Sequence, residues 1–183
     1  SISGFAGTSK YTATSTSTGN TISVSDTSSA TPFTSDVQVT ALATSQTLEF
    51  SGYTSPTQEL ATGSISVDFG TWNSNATTFT RDTSVSAVTA TISDTNKTLA
   101  GIASSLNALS GVSASIVKKA ENSYSLLVRS AAGADNALRL TVTPTSSGST
   151  ITALDTTSDN NNHQTVAASN AALTVDGISI ARE

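Results

Sequence analysis

Residues 96–119 read NKTLAGIASSLNALSGVSASIVKK, and this stretch carries the clearest helix signal in the chain. Its apolar residues recur at the spacing of one helix face: Leu99, Ile102, Leu106 and Leu109. The spacing predicts a helix over about 98–110. Because a helix of about three turns is unstable alone, the burial of this stripe must hold it, at roughly 1.5–3 kcal/mol for each side chain.

Signals for both helix ends flank the stripe. Thr95, Asn96 and Thr98 each offer a side-chain oxygen to the unpaired amides of a helix N-terminus. Gly111 suits the left-handed conformation that often follows a helix C-terminus. A strand starts at Val112, so helix and strand form one local unit.

The composition points to a β-rich protein with a hydroxyl-coated surface. Ser and Thr number 66 of the 183 residues, whereas only 11% of the residues are charged. The net charge is −5 and the longest basic cluster is Lys118-Lys119, which argues against a nucleic-acid partner. No apolar run is long enough to span a membrane. The absence of Cys excludes disulfides and thiolate metal sites.

The chain contains no Met, and its first residues do not have the pattern of a signal peptide. We therefore expect it to be a piece of a longer protein or a processed form.

Short alternating apolar runs predict strands on both sides of the helix. Residues 1–30 are mostly Ser, Thr, Gly and Ala, and they fit either short strands or a poorly ordered arm. Pro56 breaks the strand pattern, and residues 144–165 read mostly as a linker in which Ile151 and Leu154 are possible anchors. The predicted strands cover residues 36–42, 47–50, 63–69, 79–81, 85–92, 112–118, 124–130 and 137–143.

Two hairpins are predicted. In residues 172–182 the Asp176-Gly177 pair suits a type I′ turn, with Val175 opposite Ile178 and Leu173 opposite Ile180. In the other hairpin, Glu121-Asn122 joins two strands after the helix. A simple register there places Ala120 opposite Ser123, Val117 opposite Leu126 and Ile116 opposite Leu127.

The predicted fold class is mainly β with one short α-helix, in two β-rich domains of which one is inserted into the other. The polar linker and the break at Pro56 place residues 1–57 and 156–183 in a discontinuous domain. Residues 58–155 form the inserted domain, which carries the helix. Two sequential domains are the alternative.

No catalytic or metal-binding constellation emerges, so we expect neither enzyme activity nor a cofactor. His163 lies in a polar loop and is interpreted as solvated, since no nucleophile motif accompanies it. Asp155, Asp159 and Asn160 do not match the spacing of a calcium loop. Glycosylation patterns begin at Asn75 and Asn96, but they are expected by chance in a Thr-rich chain. Trp72 is the single Trp. It is interpreted as a core anchor in preference to an interface contact.

The helix–strand stretch resembles a motif of bacterial flagellar axial proteins. A longer ordered set of segments, covering roughly residues 36–183, is similar to the flagellar filament-capping proteins, the hook-associated protein 2 family. Asn122-Ser123 departs from that pattern, which often has a Gly there, and the family's long helical ends are absent. The segments are VQVTALA (37–43), TLAGI (98–102), LN (106–107), GVSASIV (111–117), YSLLV (124–128), GADNAL (133–138) and LTVDGISI (173–180).

The resemblance implies a head fragment of a structural and assembly protein. It implies that copies of the full-length protein would form a homo-oligomeric cap at the filament tip, outside the cell, and that flagellin subunits would fold beneath it. The implied partners are further copies, flagellin and the filament tip. In some bacteria such caps touch host mucus or another surface, although no residue here indicates that specifically.

Two other functions compete with the cap. The chain could be a variable outer domain of a flagellin or of another hook-associated protein, since flagellins also carry the helix–strand motif. It could also be a Ser/Thr-rich surface adhesin module. An adhesin sandwich would be expected to show regularly spaced strands without a helix, so the helix at 98–110 counts against it.

Overall fold

The computed structural model describes Thr14, residues 34–158 and residues 160–182, with no side-chain detail at 181 and 182. The chain divides into two compact units, residues 1–36 and residues 37–183. Apart from Thr14, the predicted strands or arm over residues 1–30 lie outside the described residues.

The second unit is mainly β, and the predicted fold class is confirmed in this respect. Each strand predicted between residues 36 and 182 is present, with its ends shifted by up to three residues. The helices are α1 (Leu99–Asn107) and α2 (Asn160–His163), with 3-10 helical turns at Ala134–Asn136 and Thr150–Leu154. The strands are β1 (Val37–Ala41), β2 (Ser45–Tyr53), β3 (Gly63–Trp72), β4 (Phe79–Arg81), β5 (Val88–Ile92), β6 (Val112–Ala120), β7 (Ser123–Ala132), β8 (Ala137–Pro144), β9 (Gln164–Val166), β10 (Ala171–Val175) and β11 (Ile178–Arg182).

Antiparallel pairing arranges these strands in three sheets. The first has the order β1-β10-β11 and the second has the order β6-β7-β2-β9. In the third, β3 is central: β8 pairs along Gly63–Gly70, while β5 and β4 pair with successive parts of β3. The helix unit of the opening stretch therefore joins the second and third sheets, since α1 lies between β5 and β6 in the chain.

Helix α1 is held by the predicted apolar stripe. Leu99, Ile102 and Leu106 are fully buried in the core, and the Thr98 hydroxyl accepts a hydrogen bond from the Gly101 amide at 3.1 Å as the N-cap. The helix ends at Asn107, about three residues earlier than predicted. Gly111 does adopt the left-handed conformation, with φ of 77°, but in the turn that leads into β6.

The Asp176-Gly177 hairpin is confirmed with its register. Val175 pairs with Ile178 and Leu173 pairs with Ile180. Asp176 and Gly177 have φ angles of 51° and 82°, the pair of positive values that a type I′ turn requires.

The predicted register of the β6–β7 hairpin is wrong by one residue beyond its turn. Ala120 does pair with Ser123, but a β-bulge follows between Lys118 and Ala120. Ile116 therefore faces Leu126, and Val117 faces Ser125. The bulge inserts Lys119 as an extra residue, which a strictly alternating pattern cannot anticipate.

Residues 144–165 are more ordered than the predicted linker. The segment contains the 3-10 turn Thr150–Leu154, α2 and the start of β9. Ile151 and Leu154 are fully buried, so these two residues do anchor it. The order comes from two isolated apolar side chains and from polar contacts, neither of which produces a periodic pattern.

One sheet includes strands from both sides of the domain boundary predicted at residue 57. Strand β2 precedes residue 58, yet it pairs with β7, and Leu48 and Phe50 lie in the same core as Leu126. The boundaries 1–57, 58–155 and 156–183 thus cut through one sheet. The boundary at residue 57 was misplaced because Pro56 interrupts the strand pattern only locally. After this loop, Leu60 packs into the same core as the preceding strand.

Candidate functional site

The first sheet presents a row of aliphatic side chains on one side. Its register aligns Val37 with Val175 and Ile178, and Val39 with Leu173 and Ile180. Cross-strand neighbours and alternate residues point to the same side, so all six belong to one surface, here called the aliphatic face. The opposite side carries Gln38, Thr174 and Ser179.

Part of the aliphatic face is strongly exposed. Val37, Val39 and Ile178 expose 54%, 51% and 69% of their surface. Contiguous exposed aliphatic groups are unfavourable in water, and such patches typically mark contact surfaces. Within residues 34–182 as described, this is the arrangement best suited to a protein contact.

Trp72 lies at the end of β3 and is only partly buried, so the interpretation as a core anchor is only partly right. Its indole Nε1 donates a hydrogen bond to the Leu138 backbone oxygen at 2.9 Å, and its ring centroid lies 4.9 Å from that of Phe79. These contacts fix the ring at the rim of a cavity of about 260 Å³.

The cavity beside Trp72 has an uncharged lining that includes Asn73, Gln164 and four alanines. Its polar side chains are largely engaged elsewhere. The Asn73 carboxamide accepts from the Thr77 and Thr78 amides, and the Gln164 carbonyl accepts from Gln46. The volume is below the usual range of ligand pockets, roughly 300–1,000 Å³. The cavity therefore offers little chemistry for a specific ligand.

A charged cluster ties three strands of the third sheet together. Asp68 on β3 pairs with Arg81 on β4 at 2.8 Å and with Arg139 on β8 at 2.7 Å. The Arg139 guanidinium also lies 4.8 Å from the centroid of the Phe79 ring. Each contact crosses between strands, which is the arrangement expected of a clamp that stabilises the sheet.

The β6 bulge creates a second charged contact. Lys119 Nζ lies 2.8 Å from Glu49 Oε1, and the buried Ser125 hydroxyl donates to the same oxygen at 2.8 Å. The hydrogen bond from Lys119, followed by that from Ser125, lowers the pKa of Glu49 below its ordinary value. The group links β6, β7 and β2 on one side of the second sheet.

His163 is not the solvated loop residue that the sequence suggested. It ends α2, is partly buried, and its ring centroid lies 4.6 Å from that of Phe50. Its Nδ1 lies 3.1 Å from the backbone oxygen of Glu49. These contacts give His163 a packing role against β2.

Asp155, whose spacing from its neighbours does not match a calcium loop, has a structural role. Asp155 accepts hydrogen bonds from the Val142 amide at 2.7 Å and from the Thr157 amide at 2.9 Å. Asn160 is buried in a polar cluster, and Asp159 lies outside the described residues. In the part of the chain that the structure describes, no three His, Cys, Asp or Glu side chains are grouped to hold a metal ion.

The glycosylation pattern at Asn96 also has a structural explanation. The Asn96 carboxamide accepts from the Ser93 amide at 2.7 Å and donates to the Thr91 backbone oxygen at 3.0 Å. This side chain thus shapes the turn before α1.

Sequence reasoning missed a buried carboxamide cluster centred on Gln46. Gln46 is fully buried, receives a hydrogen bond from the Leu138 amide at 2.6 Å and donates to Gln164 at 2.7 Å and to Asn160 at 3.3 Å. It thereby joins β2, β8 and the α2 region. A Gln in a polar stretch gives no sequence signal for this role, because its partners are 92 to 118 residues away.

Comparison with known proteins places these features in a family, although no family model matches the chain. Over 75 residues, 40% of this chain, the sequence is 40% identical to the flagellar hook-associated protein 2 of Salmonella typhimurium. A crystal structure of the D2–D3 domains of the flagellar cap protein FliD from Escherichia coli superposes with a TM-score of 0.63 and 30% identity, covering 84% of this chain and 76% of that one.

The larger D1–D2–D3 structure of the Escherichia coli protein gives a TM-score of 0.60 and 28% identity over 81% of this chain. The chain spans only 41% of that structure and 16% of the Salmonella protein. Of the described helices, none is long and apolar enough to cross a membrane. On the identity and coverage shared with the D2–D3 domains, the chain belongs to the FliD, or hook-associated protein 2, family of flagellar cap proteins.

Proposed function

We propose that this chain is the head region of a flagellar filament cap, a structural and assembly protein that lies at the filament tip and assists flagellin folding and polymerisation. The observation that carries the proposal is the match to the Escherichia coli D2–D3 domains, at 30% identity over 76% of that chain. A match of this extent covers both the sequence and the arrangement of the strands.

The positions of the motif segments support the same function. The helix–strand segment forms α1 and β6, the upstream segment forms β1, and the downstream segment forms β10 and β11. The two flanking segments pair with each other in the first sheet, although about 130 residues separate them. The two flanking segments thus meet in one sheet, and the helix–strand segment lies between them in the chain.

The proposed partners are further copies of the full-length protein, flagellin subunits and the filament tip, all outside the cell. The role is structural and requires no catalysis. A flagellin outer domain and an adhesin module are less well supported, since the relatives described above are cap proteins.

We also propose that the inserted domain comprises about residues 44–169. The first sheet, outside this range, combines β1 with β10 and β11. The isolated bridge between Thr44 and Ser169 closes the range at its base. The remaining sheets and α1 then form one domain between two segments of another.

Immunogold electron microscopy on the source bacterium tests the proposed location. Antibody raised against this chain is expected to place gold only at filament tips, with anti-flagellin serum as the control that labels the shaft. Gold along the whole shaft would instead identify a flagellin domain, and gold on the cell body would identify an adhesin.

A further inference from the structure

Among the described residues, strand β6 is an edge of the second sheet, whose order is β6-β7-β2-β9. One side of this nine-residue strand pairs with β7. No described strand pairs with the other side, and exposed backbone groups there could accept an added strand, which is the usual hazard of a long edge. Whether two copies can pair through β6 depends on the hydrogen bonds that these backbone groups already make within the chain.

The side chain of Asn107, the last residue of α1, binds this edge at two points. Its Nδ2 donates to the Ala114 backbone oxygen at 2.5 Å, and its Oδ1 accepts from the Ala114 amide at 2.8 Å. A carboxamide has one donor side and one acceptor side, as a peptide group has. Asn107 therefore occupies the position that an incoming strand residue would take opposite Ala114.

The same alternation identifies the other outward-facing groups of β6. Since successive residues of an antiparallel strand direct their backbone groups to opposite sides, Val112, Ile116 and Lys118 face outward with Ala114. The Val112 amide is oriented toward the Leu109 oxygen, at 3.5 Å. Toward the other end of the strand come Lys118 and the bulge at Lys119, two features that commonly protect edges.

We propose that Asn107 closes the β6 edge and so prevents a second copy of this chain from adding to the sheet through β6. The two hydrogen bonds at Ala114 are the central element, because they lie between the Val112 contact and the lysine-bearing bulge. The inference concerns which surface is closed to association, and it holds independently of the proposed cap function.

The first test measures self-association of Asn107→Ala in the 183-residue chain by sedimentation velocity over a concentration series. We expect its association constant to exceed that of the unmodified chain by at least tenfold. Ser104→Ala, on the exposed side of the same helix, is the matched control and should behave as the unmodified chain does. The double variant Asn107→Ala, Lys118→Pro should return to the unmodified level, because Pro removes an outward amide from the edge.

A folded Asn107→Ala variant that associates no more than the unmodified chain would overturn the proposal. So would an association that Lys118→Pro leaves unchanged, since it would then use another surface.

Hydrogen exchange on the unmodified chain gives a second test that does not depend on a variant folding. The Ala114 amide should exchange at least tenfold more slowly than the Ile116 and Lys118 amides, which face the same side. Equal exchange at the three positions would show that Asn107 does not close the edge.

Discussion

Gly101 lies inside a helix, where Gly is normally unfavourable, and the structure provides a reason for it. Gly is among the least favourable residues inside a helix, costing about 1 kcal/mol relative to Ala. Here the backbone of the preceding turn approaches so closely that a Cβ at residue 101 would lie 2.4 Å from the Asn96 oxygen. The close approach lets Asn96 shape the turn that feeds α1.

Replacing Gly101 with Ala should therefore destabilise the protein, by about 1–3 kcal/mol, because the contact with backbone outweighs the gain in helix propensity. Urea unfolding followed by circular dichroism measures the change in unfolding free energy. Ser104→Ala, exposed in the same helix, is the control and should change it by less than about 0.5 kcal/mol. A stabilised Gly101→Ala variant would mean that the turn before α1 can move aside.

Glu49 makes stability depend on pH in a defined direction. Its pKa in the folded protein lies below the ordinary value of 4.5, so the unfolded chain binds the proton more readily. The contribution is present above about pH 4.5 and is lost as the pH falls through the folded pKa. Because Glu49 and Lys119 are partly exposed, we expect it to be at most about 1 kcal/mol.

The Glu49→Gln variant should lose less unfolding free energy than the unmodified chain between pH 5 and pH 3, as measured by urea unfolding at each pH. Glu121→Gln, in the exposed turn beside β6, controls for the loss of one negative charge. Parallel pH profiles for Glu49→Gln and the unmodified chain would contradict the role of the Lys119 contact.

For individual residues, the sequence predicts a role where that role depends on residues nearby in the chain. The stripe of α1 was predicted, and the N-cap Thr98 was among the three candidates, because their signals lie within one or two turns. Gln46, Asn107 and His163 were missed or misread because each acts through contacts with another element. A polar side chain with a distant partner has no periodicity to reveal it.

Among the elements, the two hairpins show when a register can be read from sequence. The β10–β11 register was predicted correctly because the turn residues and the apolar alternation agree on one answer. The β6–β7 register was not, because a bulge changes the count by one residue while leaving the turn itself intact. The bulge has a structural use, since its extra residue is the lysine that contacts Glu49.

The Asp176-Gly177 turn has space for a side chain at residue 177, but the left-handed backbone there is unfavourable for any residue other than Gly. A Cβ at Gly177 would meet no atom within 4 Å, so the cost of Gly177→Ala is the strain of an alanine at φ of 82°. We expect a loss of about 1–2 kcal/mol, from the left-handed backbone alone. Hydrogen exchange across β10 and β11 measures the opening of this hairpin.

Ser179→Ala, exposed on β11, is the control for the hairpin measurement, and its exchange rates should match those of the unmodified chain. If Gly177→Ala leaves the exchange rates of β10 and β11 unchanged, the turn is not under the strain that its φ angles indicate.

At the scale of the whole molecule, the sequence predicted the mainly β class and, within the described residues, the positions of nearly all strands, but not how these strands combine into sheets. Local alternation identifies a strand, whereas the choice of partner depends on packing between residues far apart in sequence. Strand β2 illustrates the limit, because nothing near Leu48 indicates that it pairs with β7 on one side and β9 on the other. The order within residues 144–165 was missed for the same reason.

The isolated chain should be monomeric or only weakly associated. A stable interface typically uses about 20–30 residues on each side, and the aliphatic face offers six side chains. Light scattering over a concentration series should give the mass of one chain, 18.4 kDa, through the low micromolar range. A stable ring at those concentrations would show that this region associates without the rest of the protein.

The contact between Thr44 and Ser169 has a consequence for how such a protein can change over time. The Thr44 amide donates to the Ser169 oxygen at 2.9 Å and the Ser169 amide donates back at 3.1 Å, so the chain leaves and re-enters the first sheet at adjacent points. If residues 44–169 form the inserted domain proposed above, the intervening 124 residues should be free to lengthen, shorten or be replaced among related proteins, while β1, β10 and β11 keep their pairing.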